Sequence, residues 1–403
     1  MTHSIHPSSH PSTPVSSRKP FLAAVLFGLA LGTHPAAADD GNTLGSATPV
    51  PPGSYEADLT GGDVDWFSFS VTSTGLVAIF TQGATDTKLE VYNSAGTNLY
   101  LTTDNRGGGD YNFEKVERFL PGTYYLKVSA GRLGSPTGPY TLTLRTQESA
   151  PLVTSSGFTG YLTRGQIDFV KVPVERQGLL EVYTTGSTDT DGELYNSSGT
   201  SLYHNRESGG AGYNFLIQRE SQIPGEYLFL IRGGRLGTPT GPYEGFVLRP
   251  SLAEPVTEGA YPHSLTPLGD IDHFVCTVET AGEVRFWTTG TTDTKAWLYN
   301  SAGTQLYPVA DSGGTGDNYF LEKSLDPGIY YLRVAAGGRG SGSGDYVLHL
   351  DLPGVASPAS LQRAALVRKL AIAKKKLRVS RSAATEKGLK RSIATLLRRL
   401  RSI

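Results

Sequence analysis

The chain has 403 residues, with 36 Lys and Arg against 37 Asp and Glu and a formal net charge of -1 at pH 7. Its single cysteine excludes an intrachain disulfide and a cysteine-cluster metal site, and its 10 % aromatic content excludes a wholly disordered chain. The 49 Gly and 24 Pro are typical of turn-rich β domains. This composition favours a binding or structural role over a chemical one.

The small net charge conceals a segregation of charge along the sequence. Residues 358–403 contain 14 Lys and Arg and one acid, Glu386, whereas residues 39–357 contain 20 bases and 36 acids. The sequence therefore describes an acidic body with a basic tail.

Residues 1–38 follow the order of a secretory signal peptide. Arg18 and Lys19 precede an apolar run at 21–31, and three alanines at 36–38 offer a cleavage site. The run is about 11 residues long, too short to span a bilayer as a helix. We expect cleavage near Ala38 and a secreted protein, extracellular or held at the cell envelope. The segment 17–22 also resembles a twin-arginine export signal, but Lys19 replaces the second arginine, so the export route stays open.

Three tandem repeats occupy the body, and we place them at 39–147, 148–251 and 252–353. Their motifs recur at intervals of 103 and 104 residues, a spacing that suits whole domains. The recurring motifs are Asp65-Trp66-Phe67, Asp168-Phe169-Val170 and Asp272-His273-Phe274; Tyr92–Thr97, Tyr195–Thr200 and Tyr299–Thr304; Pro121–Tyr124, Pro224–Tyr227 and Pro327–Tyr330; and Gly138–Tyr140, Gly241–Tyr243 and Gly344–Tyr346.

Each repeat has the pattern of short β-strands separated by Gly, Asn, Asp and Pro. Eight strands in about 100 residues without a helical stretch predict a two-sheet sandwich. In the first repeat the predicted strands are Ser54–Leu59, Asp65–Val71, Leu76–Thr81, Lys88–Tyr92, Asn98–Thr102, Tyr111–Val116, Thr123–Ala130 and Tyr140–Arg145.

The single cysteine provides a test of this register. Alternation along the second strand of each repeat places Cys276 in the core position held elsewhere by Phe69 and Val172, so we expect a buried, unreactive thiol. His273 replaces Trp66 and Phe169 on the opposite face of that strand, and we expect it at the surface or rim.

The ordered set of motifs resembles the bacterial pre-peptidase C-terminal domain family. The residues that carry the resemblance are Asp63–Val71, Thr85–Gly96, Asp104–Asp110, Pro121–Val128 and Gly138–Leu142, with counterparts in all three repeats. The resemblance implies jelly-roll-like β-sandwiches of the kind appended to secreted enzymes, often proteases. It also implies kinship with collagenase collagen-binding domains, some of which bind calcium. In this chain no peptidase domain precedes the repeats.

The sequence contains no catalytic motif that we recognise. The histidines after the signal peptide are His204, His263, His273 and His349, and no two of them have helical metal-ligand spacing. A Gly-x-Ser-x-Gly elbow and a phosphate-binding Walker loop are also missing from the sequence. We therefore expect a protein that is not an enzyme.

Calcium is the cofactor that the acidic loops suggest. Calcium takes six to eight oxygen ligands from carboxylates, amides and backbone carbonyls, and turn capping without any metal is the alternative that the same residues allow. The middle repeat is poorer in such residues, because Gln166 stands for Asp63 and His204-Asn205 stand for Asp104-Asn105. We assign the recurrent Asp86, Asp189 and Asp293 to turn ordering. The candidate ligands are Asp63, Asp65, Asp104, Asn105, Asp110, Asp270, Asp272, Asp311 and Asp317.

A ligand-binding surface is a second expectation. Tyrosines and arginines on loops suit contacts with an extracellular protein or polysaccharide, although packing of the tyrosines in the sandwich stays the alternative. Three weak copies on one chain would gain avidity. The candidates are Tyr100, Tyr111, Arg132, Tyr203, Tyr213, Arg235 and Tyr307.

The basic tail, residues 354–403, changes to a helical pattern. Apolar residues recur at spacings of three and four at 366–377 and at 389–403, which predicts two amphipathic helices, the second capped by Thr385. Three interpretations stay open: contact with an anionic envelope surface, self-association or packing on the acidic body, and nucleic-acid binding, against which export argues.

Taken together, the sequence predicts an all-β protein of three tandem jelly-roll-like sandwiches followed by a short basic helical tail. We expect a secreted, non-catalytic binding or adhesion protein. The alternative is an accessory or stabilising partner of a separate secreted peptidase or hydrolase.

Overall fold

The structure is a computed structural model that describes residues 41–104, 111–206, 213–266, 268–354, 366, 369 and 383–401. The predicted signal peptide, the candidates Asn105 and Asp110, and most of the first tail helix lie outside these residues. So does the expected cleavage near Ala38.

Strands are the main secondary structure of the described body. The first repeat contains a short 3-10 helix (Leu44–Ser46) and strands β1 (Thr48–Pro49), β2 (Gly53–Leu59), β3 (Val64–Val71), β4 (Gly75–Gly83), β5 (Thr87–Asn93), β6 (Asn98–Thr103), β7 (Glu114–Phe119), β8 (Gly122–Ala130) and β9 (Gly138–Thr146). The second contains β10 (Gly157–Leu162), β11 (Ile167–Val174), β12 (Gly178–Thr185), β13 (Thr190–Asn196), β14 (Ser201–Arg206), β15 (Leu216–Gln222), β16 (Gly225–Gly233) and β17 (Gly241–Leu248). The third contains β18 (Glu254–Pro255), β19 (Gly259–Leu265), β20 (Ile271–Val278), β21 (Gly282–Gly290), β22 (Thr294–Asn300), β23 (Gln305–Ala310), β24 (Phe320–Leu325), β25 (Gly328–Ala336) and β26 (Gly344–Asp351).

Two sheets form each sandwich, which we call the front and back sheets. In the first repeat the front sheet has the order β1-β3-β8-β5-β6 and the back sheet the order β2-β9-β4-β7. The third repeat has the same orders, β18-β20-β25-β22-β23 with β19-β26-β21-β24. The second repeat has β11-β16-β13-β14 with β10-β17-β12-β15, so its front sheet has four strands and no counterpart of β1. Apart from the hairpins β5-β6, β13-β14 and β22-β23, paired strands are not consecutive in the chain, so the chain crosses repeatedly between the two layers. The predicted all-β sandwich fold is confirmed.

The cysteine test of the register is also confirmed. Cys276 is 4 % exposed and packs in the core of its repeat, as Phe69 (3 %) and Val172 (0 %) do in theirs. Burial raises the pKa of the Cys276 thiol to about 12.

The predicted strand at Tyr111–Val116 is wrong in its position. The other seven strands of the first repeat agree within two residues at each end, but β7 begins at Glu114. The residues just before β7 pack against the sandwich instead. The Asn112 side chain donates to the Gly83 carbonyl at 3.0 Å, and the Phe113 ring is wholly buried. A buried aromatic preceded by a polar residue imitates strand alternation, which is why the pattern misplaced the strand start.

Successive repeats stack through their sheets. The back sheet of the first repeat contributes Leu76, Ala78 and Phe80 to an apolar cluster that includes Phe169 and Leu230 from the front sheet of the second. As a result every residue of β4 from Gly75 to Thr81 is buried, because both faces of this strand are covered. The back sheet of the second repeat meets the front sheet of the third in the same way.

The expected surface position of His273 is wrong for the same reason. His273 is 6 % exposed, and its ring lies 5.5 Å from that of Tyr331 in the junction between the second and third repeats. Burial first, and then the positive charge of Arg333, lower the pKa of His273 to about 3. The outer face of a front sheet is therefore solvent-facing in a single sandwich but buried in the stack.

The described part of the tail contains helix α1 (Ala383–Arg401). The expected Thr385 cap is wrong, since the helix already begins at Ala383 and Thr385 lies within its first turn. Lys390, Arg391, Arg398 and Arg399 are exposed along it. No helix in the described ranges combines the length and the apolar character needed to cross a bilayer.

Candidate binding site

The recurrent Thr-Asp-Thr motif joins strands and loops at one end of each sandwich. The Thr85 hydroxyl donates to the Pro139 carbonyl at 2.8 Å, and the hydroxyls of Thr87 and Thr81 are hydrogen-bonded at 2.5 Å. The same bonds join Thr188 to Pro242, Thr184 to Thr190, Thr292 to Asp345 and Thr288 to Thr294. The motif therefore fixes the start of β5, β13 and β22, the turn-ordering role that the sequence predicts.

The aspartate of the motif holds a loop. Asp86 Oδ2 accepts hydrogen bonds from the backbone amides of Leu133 (2.5 Å) and Gly134 (2.6 Å). A Cβ atom on Gly131 would lie 1.9 Å from Asp86 Oδ1, so only glycine leaves room for the carboxylate. The equivalent bonds run from Leu236 and Gly237 to Asp189, and from Arg339 and Gly340 to Asp293.

The anchored loop presents its side chains to solvent. Arg132 is exposed and Leu133 is 64 % exposed, while Tyr111, 40 % exposed, lies against Gly134. We call this set the Arg-Leu surface. The second repeat builds it again with Arg235, Leu236 (65 % exposed) and Tyr213 (53 % exposed).

The third repeat departs from this pattern. Its loop carries Gly338-Arg339 in place of Arg-Leu, and Asp317 takes the position of the tyrosine. The correspondence follows from the backbone, because the Asp317 carbonyl accepts from Thr294 as the Tyr111 carbonyl accepts from Thr87. The third repeat therefore lacks both the leucine and the tyrosine of the Arg-Leu surface.

The other predicted ligand-binding tyrosines lie on the edge strands β6, β14 and β23. Tyr203 is 39 % exposed, with the Arg219 guanidinium 5.5 Å from its ring centre. Tyr307 is half-buried against the core of its repeat. Tyr100 lies on β6, and its side chain is outside the described part. The structure places Tyr111, Arg132, Tyr213 and Arg235 at the anchored loops. Tyr100, Tyr203 and Tyr307 lie apart from them, on the edge strands.

Two of the predicted metal ligands hold tyrosines in the core. Tyr140 donates to Asp65 at 2.5 Å and Tyr346 donates to Asp272 at 2.7 Å, all four side chains being buried. The middle repeat repeats the contact between Tyr243 and Asp168 at 2.9 Å. This bond connects the Asp-x-Phe and Gly-x-Tyr motifs, which the sequence shows as separate recurrences.

Two further candidates cap the turns before β3 and β20. Asp63 accepts from the Val64 amide at 2.8 Å, and Asp270 accepts from the amides of Ile271 (2.9 Å) and Thr266 (3.1 Å). Turn capping, the alternative raised by the sequence, is the role that these bonds describe.

Asp104 and Asp311 have a different environment. Each has a buried Oδ1 atom without a hydrogen-bond partner in the described ranges, and Asp104 Oδ1 lies 2.6 Å from the position of a Cβ on Gly131, beside Asp86. Asp317 is exposed near Gly340. Across the described residues, no three His, Cys, Asp or Glu side chains converge as a metal-binding group.

Sequence reasoning missed two parts of the site. It assigned Asp86 to turn ordering, which accounts for Oδ2 and leaves Oδ1 unexplained. It also omitted Leu133 and Leu236, although the nearly identical Gly-Arg-Leu-Gly loops mark them in the sequence. Exposed leucines between two glycines are a signal that could have identified the loop tips.

Comparison with known proteins gives a family for part of the chain. Residues 63–130 match the model of the bacterial pre-peptidase C-terminal domain. This match confirms, for this segment, the resemblance that its motifs predict. No curated protein matches the sequence.

Several solved structures are similar at low identity. The pre-peptidase C-terminal domain of collagenase from Bacillus anthracis is 20 % identical, covers 26 % of this chain and 99 % of its own length, and superposes with a TM-score of 0.22. A protein from Eubacterium rectale described as secreted is 9 % identical, with coverages of 50 % and 75 % and a TM-score of 0.20. A triple jelly-roll protein of an archaeal virus is 14 % identical, with coverages of 75 % and 82 % and a TM-score of 0.19.

Proposed function

We propose that this chain is a secreted, non-catalytic binding protein whose Arg-Leu surfaces contact an extracellular protein. The observation that carries the proposal is the anchored loop of the first two repeats, which exposes Leu133 and Leu236 at 64 % and 65 %. The match of residues 63–130 to a domain family known as an appendage of secreted enzymes supports both the secretion and the absence of catalysis.

The chemistry of the surface favours a protein ligand. Tyrosine and arginine are the residues that most often dominate binding energy at protein interfaces, and an exposed leucine adds apolar contact that a polysaccharide uses poorly. The loop backbone is already held by the Asp86 carboxylate through two amides. Binding therefore loses little conformational entropy, which is the usual benefit of a preorganised loop.

Two copies on one chain should act together. Junctions between the repeats are built from packed sheets rather than from a flexible linker, so the first and second Arg-Leu surfaces keep a fixed relation. A ligand that presents its own repeated sites gains avidity from this arrangement, often by a factor of about 100 or more.

Fibrillar collagen in a solid-phase assay, compared with insoluble polysaccharides, tests the proposal. We expect the mature protein to be retained on collagen, and the variant with Arg132, Leu133, Arg235 and Leu236 changed to alanine to lose at least tenfold in apparent affinity. Retention on polysaccharide alone would overturn the assignment of a protein ligand. Equal binding by the variant would overturn the role of the surface.

The chain offers a matched control. Leu120 and Ile223 are 56 % and 62 % exposed, and both precede the Pro-Gly turn at the far end of the nine-residue strands β8 and β16. Changing both to alanine removes comparable exposed apolar area away from the Arg-Leu surface. This variant should bind as the unchanged protein does.

We further propose that the second and third repeats are copies of the domain recognised at 63–130. Apart from the short strand β1, which the second repeat lacks, their sheets have the strand orders of the first repeat. The Tyr–Asp and Thr–Asp–Thr bonds also recur in each. Separate structures of the three repeats, superposed by their strands, test this proposal.

An accessory role beside a separate secreted peptidase is the second candidate. The family description of residues 63–130 supports it, since such domains occur with peptidases. Co-purification of a peptidase from culture supernatant with the tagged mature chain would favour it, particularly if the peptidase loses stability when the chain is absent.

For the tail we propose contact with an anionic envelope surface. Four exposed cations on α1 support it, because basic amphipathic helices bind anionic lipid through charge and apolar insertion. Flotation with phosphatidylglycerol vesicles should be lost on truncation at residue 354 and weakened by salt. Unchanged flotation of the truncated chain would contradict this role, and oligomerisation through the tail would favour self-association.

A further inference from the structure

The outer face of the back sheet of the third repeat carries an aromatic surface. Trp287 of β21 pairs in register with His349 of β26 and with Phe320 of β24. The centre of its ring lies 4.9 Å from that of His349, on which it stacks, and 6.3 Å from that of Phe320. Phe320 is 36 % exposed, and Trp287, His349 and Val347 are half-buried. We call these four residues the end surface.

The corresponding face is an interface in the other two repeats. Trp287 is the sixth residue of its strand, and the sixth residues of β4 and β12 are Phe80 and Tyr183. Phe80 is wholly buried and Tyr183 is 2 % exposed, because the front sheet of the next repeat packs on them. After the third repeat the sequence continues into the basic tail. An exposed aromatic patch at a position otherwise used for packing indicates an interaction surface.

The opposite end of the stack is already covered by residues that flank the repeats. Leu44, in the short 3-10 helix before β1, lies 3.7 Å from the Cβ position of Gly96 in the turn between β5 and β6. At the equivalent Gly199, the atoms nearest to the Cβ position belong to Leu76 of the preceding repeat, at 3.3 Å. Leu44 thus replaces a preceding repeat at this turn. Stacked repeats generally need such a cap at each end.

We propose that the tail segment 355–377 packs on the end surface and caps the back end of the stack. The segment follows β26, which lies beside β21 in the exposed sheet. Within it Leu366 is helical and only 7 % exposed, whereas Lys369 is exposed. A leucine buried to this extent lies against other apolar side chains, and the end surface offers them next to the point where the tail begins.

The length of the segment allows this contact. Five residues lead from His349 to Gly354, or about 17 Å of extended chain. Pro353 and Gly354 form a turn, in which Gly354 has a φ of +82° that favours glycine. Twelve residues separate Gly354 from Leu366, and they span about 18 Å as a helix and more when extended. The segment is therefore long enough to turn back at Gly354 and bring Leu366 over His349.

Helix α1, in the last part of the tail, is a poorer occupant of the end surface. Leu389, Ile393 and Leu396 on its apolar side are only half-buried, and Leu397 is 41 % exposed. This helix therefore stays available for the envelope contact proposed above. The cap goes beyond that function, because it would hold α1 at a fixed end of the stack.

A second copy of the chain is also a poorer occupant. Glu181 and Arg333 pair at the junction between the second and third repeats. Arg285 has the register position of Glu181, and Lys127 has that of Arg333. Continuing the stack from one chain to the next would therefore place Arg285 against Lys127, and such like-charge contacts disfavour association.

Fluorine NMR of the full-length mature protein, labelled with 5-fluorotryptophan, tests the cap. The chain has three tryptophans, and Trp287→Phe identifies the resonance of the end surface. Leu366→Asp should shift the Trp287 resonance and increase its broadening by a soluble paramagnetic reagent, because the ring loses its cover. The Trp66 and Trp297 resonances should stay unchanged, which reports that the sandwiches remain folded. An unchanged Trp287 resonance in Leu366→Asp would overturn the proposal.

Leu397→Asp is the matched control. It places the same charge on an exposed leucine of α1 and should leave the Trp287 resonance unchanged, while it weakens flotation with vesicles. The cap and the envelope contact can thus fail separately. A Trp287 resonance that depends on protein concentration would overturn the cap in favour of a second copy.

Disulfide trapping gives a second measurement. The native Cys276 is buried, so a pair of introduced cysteines can be followed by itself. Val347→Cys with Leu366→Cys should form an intramolecular disulfide under mild oxidation. Leu120→Cys with Leu366→Cys is the control, because Leu120 is exposed on the first repeat. Equal disulfide formation by both pairs, or none by the first pair, would contradict the cap.

Discussion

Arg333 of the third repeat makes a bidentate pair with Glu181 of the second. Both nitrogen–oxygen distances are 2.7 Å, and the two side chains are 5 % and 0 % exposed. The Trp297 ring lies on the guanidinium at 4.2 Å. The junction between the second and third sandwiches therefore contains a buried charge contact as well as apolar packing.

Removing one member of this pair should be costly. Glu181→Gln leaves the Arg333 guanidinium buried without its counter-charge, and breaking a buried pair in this way costs about 3–5 kcal/mol. Denaturant unfolding should show this loss of stability in the second and third repeats. Replacing both residues by methionine should restore most of it, since the uncompensated charge is then gone.

The ion pair between Arg285 and Glu283 is the control, because both side chains are well exposed at 39 % and 46 %. Glu283→Gln should change the free energy of unfolding by less than about 1 kcal/mol. A cost as large as that of Glu181→Gln would contradict burial as the cause.

His273 should make the junction acid-sensitive. Its folded pKa of about 3 lies below the ordinary value of 6.5, so the unfolded chain binds a proton first as the pH falls. The stabilisation is fully present above pH 6.5 and is lost progressively between about pH 6.5 and pH 3, by roughly 3 kcal/mol at pH 4. Phenylalanine occupies the equivalent position in the second repeat. His273→Phe should therefore flatten the difference in unfolding free energy between pH 7 and pH 4, and an unchanged slope would refute the assignment.

The Tyr140–Asp65 hydrogen bond should contribute measurably to the first sandwich. Tyr140→Phe removes a donor from a buried carboxylate, for which we expect a loss of about 1–3 kcal/mol. Tyr124 provides the comparison, since its hydroxyl donates to the exposed Leu120 carbonyl at 2.9 Å. Tyr124→Phe should cost less, and equal shifts in melting temperature would argue against burial of Asp65 as the reason.

The Cys276 thiol should not react with thiol reagents in the folded protein. Burial and the raised pKa leave almost no accessible thiolate at pH 8. A chromogenic disulfide reagent should report no free thiol until denaturant is added, and then one per chain. A Ser312→Cys variant, at an exposed loop position, should report one thiol at once; prompt reaction of the unchanged protein would contradict the core placement.

Much of the fold within each sandwich could be predicted from local sequence pattern, but the junctions between sandwiches could not. Period-two alternation located Phe69, Val172 and Cys276 correctly because each is buried within its own sandwich. His273 was misplaced because its burial depends on the packing of the second repeat on the front sheet of the third, which no local pattern contains. Similarly, Asp86 and Asp104 lie close together beside Gly131, and recurrence of Asp86 along the sequence does not predict this approach.

The ion pair at the second junction also restricts how the array can be rebuilt. Glu181 is the fourth residue of β12, and the fourth residues of β4 and β21 are Ala78 and Arg285. A chain from which the middle repeat was deleted would place Ala78, not a carboxylate, against Arg333. The repeats are thus similar in fold but not interchangeable. The residues at the junctions determine the order of the repeats. Deleting a whole repeat would therefore place residues that do not complement each other at the new junction.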